Sequence, residues 1–467
     1  MYDALPTWLK EILPILILLI VVAVVMLRLP KLELGHSKAF MHRRLMNWLP
    51  LGLTYAFLYM GRYNLTVASE HLGHRVTNEG FGTIFGWGAL TYGLSFVLNG
   101  PLTDRIGGRR TILIAATGSA VMNAAMATLI LVDYQGDLVI ALSVLYALNM
   151  YFQSFGAVSI VKVNSAWFHV RERGVFGGIF GILISLGIYF AFDGGGAIAK
   201  ALPVQWVFFI PAIILVGFAV LDFFMVRDTP GDAGLEDFDT ADASSGDTGP
   251  RLPVLEVFLR MARNPVIITI ALVEFCSGFL RNAIMHWGMK FASQTHQMTH
   301  FVFANWGLLL CCAGILGGVV GGILSDRVFG SRRGPVAALL YGIMLAGSLG
   351  AIFLLNTPAI GWIVILMSLA IIGVHGMLSG TASMDFGGKR NVGVAVGIID
   401  GFVYLGTALQ AVVLGHLVPQ GDAAHITSNW SNWPLAMIPA AVVGLALTIR
   451  VWHAMPEPAN KKVIESA

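Results

Sequence analysis

Residues 100–110 read Gly100-Pro101-Leu102-Thr103-Asp104-Arg105-Ile106-Gly107-Gly108-Arg109-Arg110. Residues 322–333 read Gly322-Ile323-Leu324-Ser325-Asp326-Arg327-Val328-Phe329-Gly330-Ser331-Arg332-Arg333. A glycine, a leucine, an aspartate and paired basic residues recur in matched order, with the aspartates 222 residues apart. Each stretch follows an apolar segment, so the chain reads as two related halves. Glycine lets helices touch, and an aspartate can pair with basic groups or cap a neighbouring helix N-terminus. Asp104, Arg105, Asp326 and Arg327 therefore read as a charged latch that gates one face. Topology-setting positive charge would explain the arginines but not the aspartates.

The surroundings of these loops are those of a membrane protein. The chain has 467 residues, 56% hydrophobic and 12% charged, against roughly 25% charged in soluble chains. Apolar runs of about 20 residues, the length that crosses a hydrocarbon core, recur throughout. Backbone groups in lipid must be satisfied internally, which favours helices. Hydropathy places helices at roughly 46–69, 81–99, 110–132, 138–161, 174–192 and 205–226. A second set lies at roughly 264–288, 302–324, 335–355, 361–383, 392–417 and 431–452. A further apolar run, about 12–27, precedes them, with its positive charge after the apolar stretch rather than before it. That order reads as an uncleaved extra N-terminal transmembrane helix, not a secretory signal.

Basic loops at 28–44, 104–110, 162–173, 326–333, 385–390 and in the tail alternate with basic-poor connections. By the positive-inside rule this puts the C-terminus in the cytoplasm and the N-terminus in the periplasm of a bacterial inner membrane. The domains expected are 1–45 (extra helix and basic linker), 46–227 (first bundle), 228–253 (flexible cytoplasmic linker), 254–452 (second bundle) and 453–467 (tail). The linker is rich in Asp, Gly, Ser and Thr, the composition of a tether. A net charge of +3 gives no ground for nucleic-acid binding, and Cys276, Cys311 and Cys312 have no metal or redox spacing.

Charges inside a span are costly and are functional candidates by default. Arg62 lies late in the first helix of the first half, and Arg281 in the first helix of the second, 219 residues on. Two guanidinium forks facing one cavity would suit a phosphate or carboxylate. Helical spacing puts Tyr55, Tyr59 and Thr66 at −7, −3 and +4 from Arg62, with Ser69 at +7. Glu274 and Ser277 lie at −7 and −4 from Arg281. Glu274 reads as an ion-pair partner for an arginine or a proton carrier. Asp400 could balance an arginine, take a proton, bind a substrate hydroxyl, or serve as a buried structural partner. His286 reads as an interfacial anchor, His375 as a hydrogen-bonded packing residue, and Lys162 as a group near the cytoplasmic mouth.

The duplicated loop resembles the hallmark of the major facilitator superfamily, G-x-L-x-D-R-x-G-R-R. That resemblance implies an all-α membrane protein of two pseudo-symmetric six-helix bundles, a central cavity, and rocking of one bundle against the other. Within the superfamily the chain is similar to the organophosphate:phosphate antiporters, which include glycerol-phosphate and hexose-phosphate carriers. Three stretches carry this likeness: the Arg62 and Arg281 pair; Phe152-Gln153-Ser154-Phe155-Gly156 with Trp167 and Arg171-Glu172-Arg173-Gly174; and Asp385-Phe386-Gly387-Gly388-Lys389-Arg390 with Gly393, Gly397 and Tyr404-Leu405-Gly406. Where that family carries Trp-Pro this chain has Ala157-Val158; Lys162 replaces an arginine, Tyr63 a lysine, and apolar Ile184 stands near where the glycerol-phosphate carrier has a cavity histidine. The anion clasp is kept while the surroundings that choose the organic part are changed.

The expected function is secondary transport: a phosphorylated small metabolite exchanged for inorganic phosphate by alternating access, with the lipid bilayer as the other partner. Arg62 and Arg281 would hold the phosphate, with Tyr55, Tyr59, Thr66 and Asp400 in supporting contact. Neither a nucleotide motif nor a catalytic constellation stands out, so no cofactor, metal or enzymatic role is expected, and a monomer is. A carboxylate or phosphonate transporter, possibly proton-coupled, and a membrane sensor of the same fold are the alternatives.

Overall fold

The computed structural model describes residues 20, 35–169, 172–240, 253–329 and 332–453, with side chains excepted at 173–180, 254, 257, 322–323, 326–327, 380–393 and 396. The extra N-terminal helix falls, but for Ile20, outside the described residues, as does the tail beyond 453.

The architecture is all-helical. The first half comprises α1 Lys38–Ser69, α2 Asn78–Ile106, α3 Gly108–Leu131, α4 Leu138–Trp167, α5 Arg173–Tyr189 and α6 Trp206–Met225. A short helix, α7 Val254–Ala262, leads into the second half. That half comprises α8 Pro265–Gln294, α9 Trp306–Ile323, α10 Arg333–Leu354, α11 Ala359–His375, α12 Thr381–Leu417 and α13 Asn432–Arg450. Among the described residues, 10 helical spans are long and apolar enough to cross a membrane, and α1 and the shorter α9 complete the two sets of six.

Local chemistry sets many of the boundaries. Ser37, Thr77, Asp137 and Asn264 each accept a backbone N–H from the first turn of α1, α2, α4 and α8, satisfying donors that a helix leaves without partners. The Ser37 cap is why α1 starts earlier than hydropathy suggests. It draws Arg43 and Arg44, expected in a basic loop, into the helix, where Arg44 Nη1 donates to Glu172 at 2.9 Å. Between α2 and α3 the chain turns at Gly107 with φ +92°, a conformation that excludes most side chains. A second departure concerns 385–390, expected as a loop. The backbone stays helical from Ala359 to Leu417, relieved by a π-turn at Gly376–Gly380.

The tether expected at 228–253 is anchored at its start. Asp228 Oδ1 accepts the Arg109 backbone N–H at 2.8 Å, capping α3, and the Trp167 indole donates to the Arg227 carbonyl at 3.1 Å. The Phe238 ring packs on Phe40 at 5.5 Å.

Two crossings are the most extensive contacts between the halves: α2 packs along α12, and α5 packs along α9. In repeat terms these are the same contact made twice, the second helix of one half against the fifth of the other. Along α2 and α12, glycines let the backbones approach. A Cβ on Gly82 would come within 2.6 Å of the Ala411 carbonyl, and one on Gly397 within 2.9 Å of the Phe96 carbonyl. Bulk at either position would pry the halves apart.

Candidate functional site

The centre of the site is the buried face of α1. Tyr55, Tyr59, Tyr63 and Arg62 are all covered, and the first three rings stack edge to face at 5.2 and 5.6 Å. The Arg62 guanidinium lies 4.5 Å from the Tyr59 ring centre and 4.4 Å from that of Tyr92 on α2. Such faces attract cations electrostatically.

Each nitrogen of Arg62 has an acceptor. Nε donates to Gln153 Oε1 at 2.9 Å, Nη2 to the Tyr92 hydroxyl at 2.7 Å, and Nη1 to the Tyr404 hydroxyl at 2.6 Å. Gln153 is held from behind: its Nε2 donates to Ser119 Oγ at 3.0 Å, and Ser119 donates to Asn149 Oδ1 at 2.6 Å. Asn149 and Asn123 in turn donate to the Gly61 carbonyl, and the Tyr146 hydroxyl donates to the Arg62 carbonyl at 2.9 Å. The polar residues of α3 and α4 thus fix both backbone and side chain at this arginine. Tyr404 is the contribution of the second half.

Arg281 on α8 is treated differently. It is only 5% exposed, yet Nε and Nη2 are buried and lack any hydrogen-bond partner among the described residues. A buried unsatisfied donor costs about 1–3 kcal/mol, and more when charged. Tyr59, Tyr63 and Tyr404 stand within electrostatic reach of both guanidinium groups. The two arginines therefore have the same three tyrosines as neighbours. One has its donors engaged by protein, and the other presents donors with nothing to hold.

Around Arg281 the second half gathers its acids. Glu274, fully buried, accepts from or donates to His375 Nδ1 at 2.8 Å through Oε2, while Oε1 has no partner. Asp400 Oδ1 accepts a short hydrogen bond from Ser379, and His375, Glu274 and Arg281 lie within its electrostatic reach. Glu274, read as an arginine's ion-pair partner or a proton carrier, makes its short contact with a histidine and not with an arginine.

Thr66, expected to face the ligand, is committed elsewhere. Its Oγ1 meets His286 Nδ1 at 2.6 Å across the two halves. His286 is no interfacial anchor: it is fully buried among Tyr63, Phe81, Phe85 and Phe192. Four residues further along each helix, Lys290 Nζ lies 2.6 Å from Glu70 Oε1, with side chains 1% and 8% exposed. Asn78 exchanges amide hydrogen bonds with Gln294 at 2.9 Å. Asp193, in the π-turn that follows α5, accepts the Gly307 and Leu308 N–H groups at 2.8 Å and so caps α9 of the opposite half. Together these close the halves at the end opposite the basic loops.

At the basic end, Asp104 pairs within its own half with Lys162 Nζ at 2.8 Å, and Arg105 is exposed. The side chains of Asp326 and Arg327 lie outside the described residues.

Residues 51–411 match the family model of the Major Facilitator Superfamily. The chain belongs to that superfamily. Family and fold are those of membrane transporters. The chain is 26% identical to the glycerol-3-phosphate transporter of Bacillus subtilis over 442 residues, 89% of this chain and 94% of the relative. It is 26% identical to the membrane sensor protein UhpC of Escherichia coli, covering 86% of this chain and 90% of that one. A probable hexose phosphate transport protein of Chlamydia trachomatis is 23% identical, over 91% and 94% of the two chains. Among solved structures, a bacterial homolog of the human lysosomal transporter Spinster, inward-facing and unoccupied, aligns with a TM-score of 0.65 and 16% identity over 89% of this chain and 98% of that one. The nucleoside transporter NupG aligns at a TM-score of 0.60 and 14% identity, covering 88% and 100%. These two likenesses establish the fold.

Several members of the site were not legible beforehand. Tyr92 and Tyr404 reach Arg62 from 30 and 342 residues away, and no local periodicity reports such a meeting. Lys290 and Glu70 could have been found, because Lys290 lies within an apolar helix and the expense of a buried ammonium applies to it as it does to Arg281.

Proposed function

We propose that this protein carries a phosphorylated small metabolite across the membrane in exchange for inorganic phosphate. The observation that carries the reading is the pair of partnerless donors on buried Arg281, facing the same tyrosines as Arg62. A phosphoryl group supplies acceptor oxygens matched to a guanidinium fork. The names borne by the Bacillus and Chlamydia relatives agree with an organophosphate cargo.

In the working cycle the anion seats on Arg281 and draws Arg62 from Tyr404, which relieves two buried positive charges at once. Tyr59 and Tyr55 line the seat, and Asp400 borders it. Alternation of access then opens and closes the two ends in turn. With the basic loops cytoplasmic, the closed end described above is periplasmic, in a bacterial inner membrane, and Asp104, Arg105, Asp326 and Arg327 form the opposing gate. The working unit is a monomer.

The test is counterflow in liposomes loaded with phosphate, with labelled phosphate and a panel of phosphorylated metabolites outside. Accumulation of label that depends on internal phosphate is expected. Its absence in preparations that bind phosphate sinks the transport reading. Likeness to a membrane sensor supports a second reading, in which ligand binds to the same arginines without flux, and that same outcome would establish it.

A further inference from the structure

The second half holds a group of buried and half-buried ionisable side chains that anion binding alone does not require. Glu274 on α8 has no exposed surface and one carboxylate oxygen without a partner. Its other oxygen meets His375 of α11 at 2.8 Å. About a fifth of the His375 side chain, 22%, is left uncovered by protein. Asp400 of α12, bonded to Ser379, stands within electrostatic reach of His375, Glu274 and Arg281. The remaining titratable groups facing Glu274 are Cys276 on its own helix and Tyr341 from α10. Arg281 is thus the only permanent cation that bears on both carboxylates among the described residues. Among the described residues no such group surrounds Arg62, whose acceptors are the neutral Gln153, Tyr92 and Tyr404.

This arrangement makes one cation answer to two kinds of negative charge. With the seat empty, Arg281 is the positive charge that faces both carboxylates. An anion placed on Nε and Nη2 offsets that charge and favours proton uptake by the carboxylates. Linkage is reciprocal, so a proton on the cluster must equally favour the anion. We propose that Glu274, His375 and Asp400 form a proton site coupled to Arg281, and that the protein can move an anion together with a proton, not solely against another anion. His375 passes the proton between the uncovered side of the cluster and buried Glu274. The inference rests on the anion seat argued above.

The experiment uses the full chain in liposomes with inorganic phosphate as the probe. Two assays run side by side: phosphate–phosphate exchange at equal pH, and net uptake into phosphate-free vesicles under an inward proton gradient, with an internal pH dye. For one proton per anion, a gradient of one pH unit supports about ten-fold accumulation, with internal acidification in step. Glu274→Gln should abolish accumulation and acidification while exchange continues. His375→Gln, at a less buried position, should slow net uptake at least ten-fold. Titration of phosphate itself is common to wild type and variants, so the difference between them isolates the cluster. Exchange without gradient-driven uptake in the wild type overturns the coupling and leaves the transport reading standing. Undiminished gradient-driven uptake in both variants also overturns it. Loss of exchange in the wild type removes both readings together.

Discussion

Arg62 and Arg281 occupy matched places in the two halves, 219 residues apart, and neighbour the same tyrosines, yet their hydrogen bonding differs. Arg62 is held at Nε, Nη1 and Nη2 by Gln153, Tyr404 and Tyr92, and a polar network on α3 and α4 holds Gln153 in turn. Arg281 keeps two nitrogens unsatisfied and sits among acids that do not touch it. Duplication set the position of the charge, while the neighbours set its task. A guanidinium saturated by protein is a structural part until something displaces a partner. One left unsatisfied attracts an anion from the outset.

The difference gives a graded set of expectations. Arg281→Lys should do most harm, since lysine loses the planar fork and at least one charge-assisted hydrogen bond. At about 1.5–3 kcal/mol for each such bond, phosphate affinity should fall roughly a hundred-fold, read by calorimetry on purified protein. An unchanged Kd would reverse the assignment of the two arginines. Arg62→Lys should weaken binding less, about ten-fold, because in the closed arrangement its donors are already spent on the protein, yet it should stop transport almost fully while the protein still inserts. Parity of the two variants in the binding assay would erase the distinction drawn here. Tyr404→Phe should have a smaller and opposite effect. It frees Nη1 from its cross-half acceptor, so phosphate should bind several-fold more tightly, and weaker binding would mean that Tyr404 contacts the ligand directly. Gln153→Leu should change affinity least, within about three-fold, and should instead lower thermal stability, because it strands Nε and unpicks the bonds to Ser119 and Asn149.

The sequence made the general plan readable for a physical reason. Membrane helices announce themselves by length and hydropathy, and a duplicated loop such as 100–110 and 322–333 reports itself by its offset. The two arginines were found because charge in a span is rare and costly. What could not be read was partnership. Gln153 and Tyr92 lie on separate helices, and nothing in their own segments says that both turn toward Arg62. Thr66 has the right helical phase for the ligand, but phase gives direction around an axis and not what waits there, which is His286. Hydropathy also missed the early start of α1, because that boundary is decided by one Ser37 hydroxyl.

The contacts that close the halves carry a further meaning. Thr66 meets His286 and Glu70 meets Lys290, each at a separation of 220 residues, within two residues of the 219 and 222 that relate the halves. Residues near-equivalent by duplication thus face one another close to the pseudo-two-fold axis, where a symmetric dimer sets a residue against its own copy. In a dimer of two identical halves a charged side chain on that axis would meet its like, and any ion pair beside it would have to occur twice. A single ion pair so near the axis, with no symmetry mate, is open only to copies that are free to differ. It is available to this protein because its two halves travel on one chain.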